Sequence, residues 1–433
     1  MLLREGDRHM RMNPRIVCAW LLVWAAGPTM AQESQTAEER SISLEEALER
    51  TLSDNPELVA AGYQVEVMKG REQQAGFAPN PELTIAVEDI AGSGTYERVD
   101  RAESTVSLAW IFERGVRQRR MDAASAGVSL AAMEAELLRV DAAAETARRF
   151  LRVLEAQSLA DISAESVQLA EDTVAAVERR VEAGRAPQAD LQRARANLAS
   201  ARLDLHDVEY ESQAARMRLA AQWGATSPGF RRVAADPLDL PDPEPYPQLL
   251  ARLEQNPELV RYLSQERLDE AQVQLAEARR KPAWQARLGV RRLEATDDHV
   301  LVAGVTIPLA FRNRNQGNVA AARASVEKTR AESSAVRVRA ETTLAVLYEA
   351  LQRSRSRAMA LEDDVLPPLQ DALTETRSAY ERGRYSFFEW TAVQAEVIDA
   401  RRRLLAAGIE SKQFAIEIER LTGVQLTELE TQP

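Results

Sequence analysis

Few residues of this chain have the types and spacing that chemistry needs. It carries three histidines, His9, His206 and His299, and one cysteine, Cys18. None has the i,i+4 histidine or the cysteine partners of a metal site. His206 sits among helix-surface residues and His299 at a strand start. There is no nucleophile elbow, phosphate loop or dinucleotide fingerprint. The expectation is therefore a non-enzyme with no cofactor and no metal site. Two acids are distinguished by position instead. Asp190 and Glu389 each lie six residues beyond a glycine, Gly184 and Gly383, that interrupts a long helical pattern. An acid in the first turn of a new helix is favoured by the helix dipole. Taken alone, each is a solvated helix-start residue.

The elements that position these acids are repeated. Around residues 298–325, DHVLVAGVTIPLAFRNRNQGNVAAARAS, a strand-like run ends at Pro308 and a long alanine-rich helix begins near Gly317. The same event occurs at 104–127, STVSLAWIFERGVRQRRMDAASAG. Strands are expected at about 82–90, 104–112, 283–293 and 299–309. In the third, Trp284, Ala286, Leu288 and Val290 alternate with Gln285, Arg287, Gly289 and Arg291, so one face suits lipid and the other water. Trp110 and Phe112 fit an interfacial aromatic belt.

Long helices are expected at about 116–183, 187–223, 317–382 and 386–422. From Met133, the positions Leu137, Val140, Ala144, Ala147, Leu151 and Leu154 advance in alternating steps of four and three, a heptad seam. Pro367-Pro368 should interrupt the third helix, because proline lacks the backbone donor and clashes with the preceding turn. Small seam residues bury little area each, so neighbouring subunits are expected to complete the seams.

Asn55-Pro56-Glu57-Leu58 supplies an N-cap, a first-turn proline and an acid at the positive dipole end. The same four letters return 201 residues later as Asn256-Pro257-Glu258-Leu259. That period is too long for a solenoid and signals duplication of half the protein. The chain divides into a signal peptide (1–31), a first repeat (32–223), a proline-rich connector (224–247), a second repeat (248–425) and a flexible tail (426–433).

The basic start and the apolar run 16–27 read as a secretory leader cleaved after Ala31, with Met10 or Met12 as alternative starts. Removing residues 1–31 deletes four arginines and two acids, moving the net charge from −12 to −14. So acidic a chain argues against a nucleic-acid partner. No interior stretch approaches the ~20 apolar residues of a membrane helix, so any crossing by the mature chain must use strands.

The repeat of strands and long helical hairpins resembles the TolC-type outer-membrane channel family over about 41–425. IPLAFRNRNQGNVAAARA (307–324), RRVEAGRAPQADLQRARANLASARLDL (179–205) and YERGRYSFFEWTAVQAEVIDARRRLL (380–405) are similar to its CzcC-like, heavy-metal efflux branch. The resemblance implies a mainly helical fold with a membrane β part. It implies a homotrimer whose subunits share a twelve-stranded barrel in outer-membrane lipid and a periplasmic tunnel. The partners implied are a periplasmic adaptor and an inner-membrane pump of the resistance-nodulation-division type. The hairpin turns at Gly184 and Gly383 would lie at the tunnel tip. Glu389 matches an aperture carboxylate and Asp190 a lock residue, with Tyr380 matching the tyrosine that would hydrogen-bond Asp190. The match departs at Ala392, where a second acid is common, and at Tyr385, where a lock arginine is replaced although Arg384 is adjacent. The same fold exporting drugs or secreted proteins, and a pore-less periplasmic coiled-coil protein, are the competing readings.

Overall fold

The computed structural model describes residues 41–423; the expected leader and tail lie outside them. In chain order the elements are β1 (Ser41–Ile42), α1 (Leu44–Asp54), α2 (Pro56–Ala75), β2 (Glu82–Glu88), β3 (Glu103–Phe112), α3 (Val116–Glu182) and α4 (Gln188–Ala220). Then follow β4 (Arg232–Val233), α5 (Tyr246–Arg252), α6 (Pro257–Ala278), β5 (Trp284–Leu293), β6 (Asp298–Thr306), α7 (Gln316–Ala360), α8 (Leu366–Glu381) and α9 (Phe387–Thr422). With 67 residues, α3 is roughly 100 Å long at 1.5 Å per residue.

The duplicated asparagines explain how each repeat closes. Asn55 accepts from the backbone N–H groups of Glu57 (2.8 Å) and Leu58 (3.2 Å), which starts α2. Its amide nitrogen donates to the Gln222 carbonyl at the end of the repeat, 2.8 Å away. Asn256 accepts from Leu259 N–H (3.0 Å) and donates to the Leu421 carbonyl (2.7 Å). Each asparagine is thus both a helix cap, of α2 or α6, and a clasp to the end of the same repeat.

Four strands form one antiparallel sheet in the order β2-β3-β5-β6. The register places Ile85 beside Val106, Val106 beside Val290, and Val290 beside Leu301. One face is therefore apolar across all four strands, from Leu83, Ile85 and Val87 to Leu301 and Val305. The other carries Thr84, Glu103, Thr105, Ser107, Arg287 and Arg291. Gly289 is required on that second face, because a β-carbon there would stand 2.6 Å from the Ser107 β-carbon. Strand ends differ from expectation for local reasons. β2 stops at Glu88 because Asp89 turns to a left-handed φ of 58°. β6 stops at Thr306, two residues before Pro308, which has no N–H for a ladder.

α3 runs beside α2, α4, α6 and α9, and α7 beside α6 and α9. The lateral order near the sheet is α2-α3-α6-α7, and further away it is α4-α3-α9-α7. Residues 224–245 do more than connect. β4 pairs in parallel with β1, and the Gln157 side chain bonds both the N–H and the C=O of Val233 at 3.0 Å. Phe230 and Val233 join Ile42, Leu48, Phe150 and Leu154 in the largest core. Further on, the Pro237 carbonyl fills the space that the missing Gly408 side chain leaves on α9. The expected interruption at Pro367-Pro368 takes another form. A π-helical turn, Leu361–Val365, absorbs the mismatch, and the prolines occupy the start of α8, so the chain stays helical.

Candidate functional site

Gly184 and Gly383 end α3 and α8 in the same way. Gly184 has φ 68° and Gly383 φ 76°, a conformation open to glycine and costly for a β-carbon. Gly184 N–H bonds the Val181 carbonyl (2.9 Å) and Arg185 N–H the Arg180 carbonyl (2.7 Å). Gly383 N–H bonds the Tyr380 carbonyl and Arg384 N–H the Ala379 carbonyl, both at 2.9 Å. This pattern satisfies the last carbonyls of each helix and reverses the chain within a few residues.

Six residues beyond each glycine, Asp190 and Glu389 occupy the third position of α4 and α9. The two are not equivalent. Ser386 caps α9 and Glu389 reaches back, its carboxylate accepting from Ser386 N–H and Oγ, each at 2.7 Å. The backbone N–H bond first, and then the hydroxyl, hold the Glu389 carboxyl below its ordinary range. Glu389 is exposed and ionised. In the first repeat proline stands where Ser386 does, so Pro187 caps α4 with no side-chain bond, and Asp190 is half-buried.

The expected Tyr380–Asp190 hydrogen bond is not formed: the Tyr380 hydroxyl is buried and has no hydrogen-bond partner among the described residues. Its ring stacks on Trp390 at 5.0 Å, with the Arg180 guanidinium 4.7 Å from the ring centroid. That packing fixes the phenol. Burial pushes the hydroxyl above the usual phenol range; the Arg180 charge opposes this and the Asp190 charge adds to it.

Sequence reading missed Arg180. It donates to the Tyr380 and Glu381 carbonyls of the second turn and to the Arg185 carbonyl of the first. Nothing in the heptad pattern distinguishes it from Arg179. Trp390 was also missed as a site residue, although the aromatic cluster Phe387, Phe388 and Trp390 in the first turn of α9 was a legible signal.

At the far end of the molecule, on the polar sheet face, Arg291 pairs with Glu103 and with Glu88 (3.1 Å) and bonds Thr105 (3.0 Å). On the apolar face Trp110, Phe112 and Trp284 gather at the end that leads into the helices, and Arg114 lies 3.8 Å from the Trp284 ring. Among the described residues, no helix is long and apolar enough to cross a membrane, and no group of three or more His, Cys, Asp or Glu is arranged to hold a metal ion. His206 contacts Glu209 at 3.3 Å, and His299 is the second residue of β6.

The sequence matches the family described as outer membrane efflux protein over residues 47–225 and 250–424, one match for each repeat. The chain belongs to the outer membrane efflux protein family. It is 31% identical over 384 residues to the cobalt-zinc-cadmium resistance protein CzcC of Cupriavidus metallidurans, covering 88% of this chain and 90% of that protein. It is 26% identical over 298 residues to the nickel and cobalt resistance protein CnrC of the same organism, covering 67% and 70%. A membrane protein from Pseudomonas aeruginosa has the same fold, with a TM-score of 0.74 at 18% identity over 88% of this chain and 90% of that one.

Family membership orients the efflux protein. The sheet lies in the outer membrane with its apolar face to lipid, and the helices extend into the periplasm. The aromatic cluster lies at the helix end of the sheet, and the Gly184 and Gly383 turns lie at the opposite end of the long helices. The protein is an outer-membrane export channel rather than a member of a family of enzymes.

Proposed function

We propose that this efflux channel is a homotrimeric exit duct for divalent transition-metal cations, working with a periplasmic adaptor and an inner-membrane resistance-nodulation-division pump. The observation that carries it is the edge structure. β2 and β6 end the sheet with unpaired backbone groups, and an open edge is not tolerated in lipid. The wall ends in α2 and α4 on the same side as β2, and in α7 on the same side as β6. One head-to-tail contact between copies therefore closes every layer at once. Three copies of a four-stranded sheet give twelve strands, within the even-numbered range of membrane barrels.

The cargo is proposed from the relatives, which are resistance proteins for cobalt, zinc, cadmium and nickel. Among the described residues no group of three or more His, Cys, Asp or Glu is arranged to hold them, and the selectivity is assigned to the charge at the tip. In a trimer, Glu389 forms a ring of three exposed carboxylates around the aperture, which favours cations and opposes anions. Asp190 and Tyr380 stand behind that ring. Glu389→Gln is the discriminating variant, since glutamine preserves the capping box while removing the charge. In planar bilayers under a low-salt gradient, the parent trimer should show cation-selective steps, and Glu389→Gln should move the reversal potential toward zero. An unchanged reversal potential would remove Glu389 from the aperture.

A further inference from the structure

We infer that Arg287 builds a ring of three guanidinium groups inside the barrel, and that this ring binds a small multivalent oxyanion. The inference rests on the trimeric channel proposed above. Arg287 lies on the polar face of the sheet, the one turned from lipid, and it is exposed. It makes no hydrogen bond, ion pair or ring contact among the described residues. Arg291, four residues along the same strand and on the same face, is the contrast: Glu88, Glu103 and Thr105 hold it. The row across the sheet at Arg287 reads Glu82, Ala109, Arg287, Gly304. A β-carbon placed at Gly304 would meet nothing within 4 Å, so that side of the arginine is open. Gln285 and Gly289, the same-face neighbours on β5, have no acid among their register partners. Glu82 stands two strands away, roughly 10 Å at the usual strand spacing, and its carboxylate already accepts from the Gln285 amide at 3.1 Å. On the other side, a neighbouring copy's β2 would stand beyond β6, again two strands from Arg287.

Twelve strands spaced ~4.8 Å apart and tilted ~40° close into a barrel of radius roughly 12 Å, of which an extended arginine spans about half. Threefold symmetry puts the three Arg287 side chains at one height, so their guanidiniums reach toward one axis and can share one ion. Guanidinium keeps its charge at any working pH and pairs oxyanions through parallel N–H bonds. A ring of fixed cations in a low-dielectric wall draws anions and resists cations. A multivalent anion gains most, because it meets several positive groups at once. Lipid phosphates do not reach the lumen, so the ligand is a soluble phosphate-type oxyanion with two or more charges. The duct then holds opposite charges at two heights: Arg287 in the barrel and Glu389 at the aperture.

Pyrophosphate is the probe, in potassium chloride free of divalent ions. Titration calorimetry on the detergent-solubilised parent should give one pyrophosphate per three subunits. Affinity should be lower by about tenfold in Arg287→Gln, which removes the charged donors, and partly recovered in Arg287→Lys. Because Arg287 has no partner within the chain, glutamine should leave fold and trimer intact, which light scattering checks. One anion per subunit, no binding to a trimeric parent, or equal binding to Arg287→Gln overturns the ring. A parent that is not trimeric fails the channel reading itself, and the ring with it. Planar bilayers at low salt supply the second measurement. Pyrophosphate should reduce the parent current more than that of Arg287→Gln. The variant's reversal potential should move toward stronger cation selectivity, opposite in sign to Glu389→Gln. A variant channel with the parent's reversal potential would also overturn the inference.

Discussion

Glu419, near the end of α9, holds its carboxyl oxygen Oε2 buried with no hydrogen-bond partner among the described residues. Burial raises its pKa from 4.5 to about 8. The folded state therefore retains a proton that the unfolded chain releases, so this group's contribution to stability declines as pH rises from about 4.5 to about 8. At pH 7 the cost is at most about 3 kcal/mol, and less in water, because the side chain as a whole is only half-buried. Glu419→Gln should raise the melting temperature at pH 7.5 and flatten its decline between pH 5.5 and pH 8.5. Parallel parent and variant curves would show that the carboxyl is ionised in the fold. At this scale the sequence was uneven as a guide. Gly184, Gly383, Asp190 and Glu389 were legible because a helix-breaking glycine and a first-turn acid leave local marks. Arg180 was not, because it joins residues about two hundred positions apart and periodicity says nothing about which arginine on a helix reaches across; nor was the stacking of Tyr380 on Trp390, which depends on how α8 and α9 pack across the turn. The expected Tyr380–Asp190 bond failed for the same reason: the ring's packing, invisible in the sequence, decided where its hydroxyl went.

Between elements, the asparagine clasps make the sharpest claim. Asn256→Asp keeps the acceptor that caps α6 and loses the donor to the Leu421 carbonyl, whereas Asn256→Ala loses both. The expected order of melting temperature is parent, then Asp, then Ala. Ala should cost about 2 kcal/mol, from one cap and one buried bond. Equal effects would mean that the clasp contributes nothing beyond the cap. Helix and strand identity followed well from period and capping letters, since those signals are local. What escaped was how stresses are relieved. Two adjacent prolines demanded an interruption, but the sequence could not say that a π turn would supply it without a break. Likewise the connector's proline content marked irregular backbone, while its pairing with β1 and its seat over Gly408 depend on segments remote in sequence.

For the whole molecule, the exposed surface records where a neighbour stands. Leu203, Tyr210 and Met217 recur every seven residues on α4 and are all exposed, as are Val338 and Val346 on α7. These are faces of the two wall edges and belong to the subunit contact under the trimer reading. Leu203→Glu with Tyr210→Glu should shift the detergent-solubilised protein from trimer to monomer in light scattering at moderate protein concentration. A variant that remains trimeric would place the contact elsewhere. The sequence led to an expectation of incomplete seams from small residues at many positions, each of which buries little area, whereas the exposed residues here are large ones off that seam. It could not name the edges, since lateral order is set by pairing across the repeats.

The clasps at Asn55 and Asn256 have a consequence for ancestry. Each ties the start of a repeat to the end of the same repeat, while the two halves share one sheet and one core. A half-length ancestor could have built the same wall from twice as many identical copies. Fusing two halves then let them diverge without loss of closure. The two tips record that freedom: one repeat holds Pro187 where the other holds Ser386, so a capped, exposed acid evolved on one turn, while on the other Asp190 went uncapped and Arg180 became the tie between them.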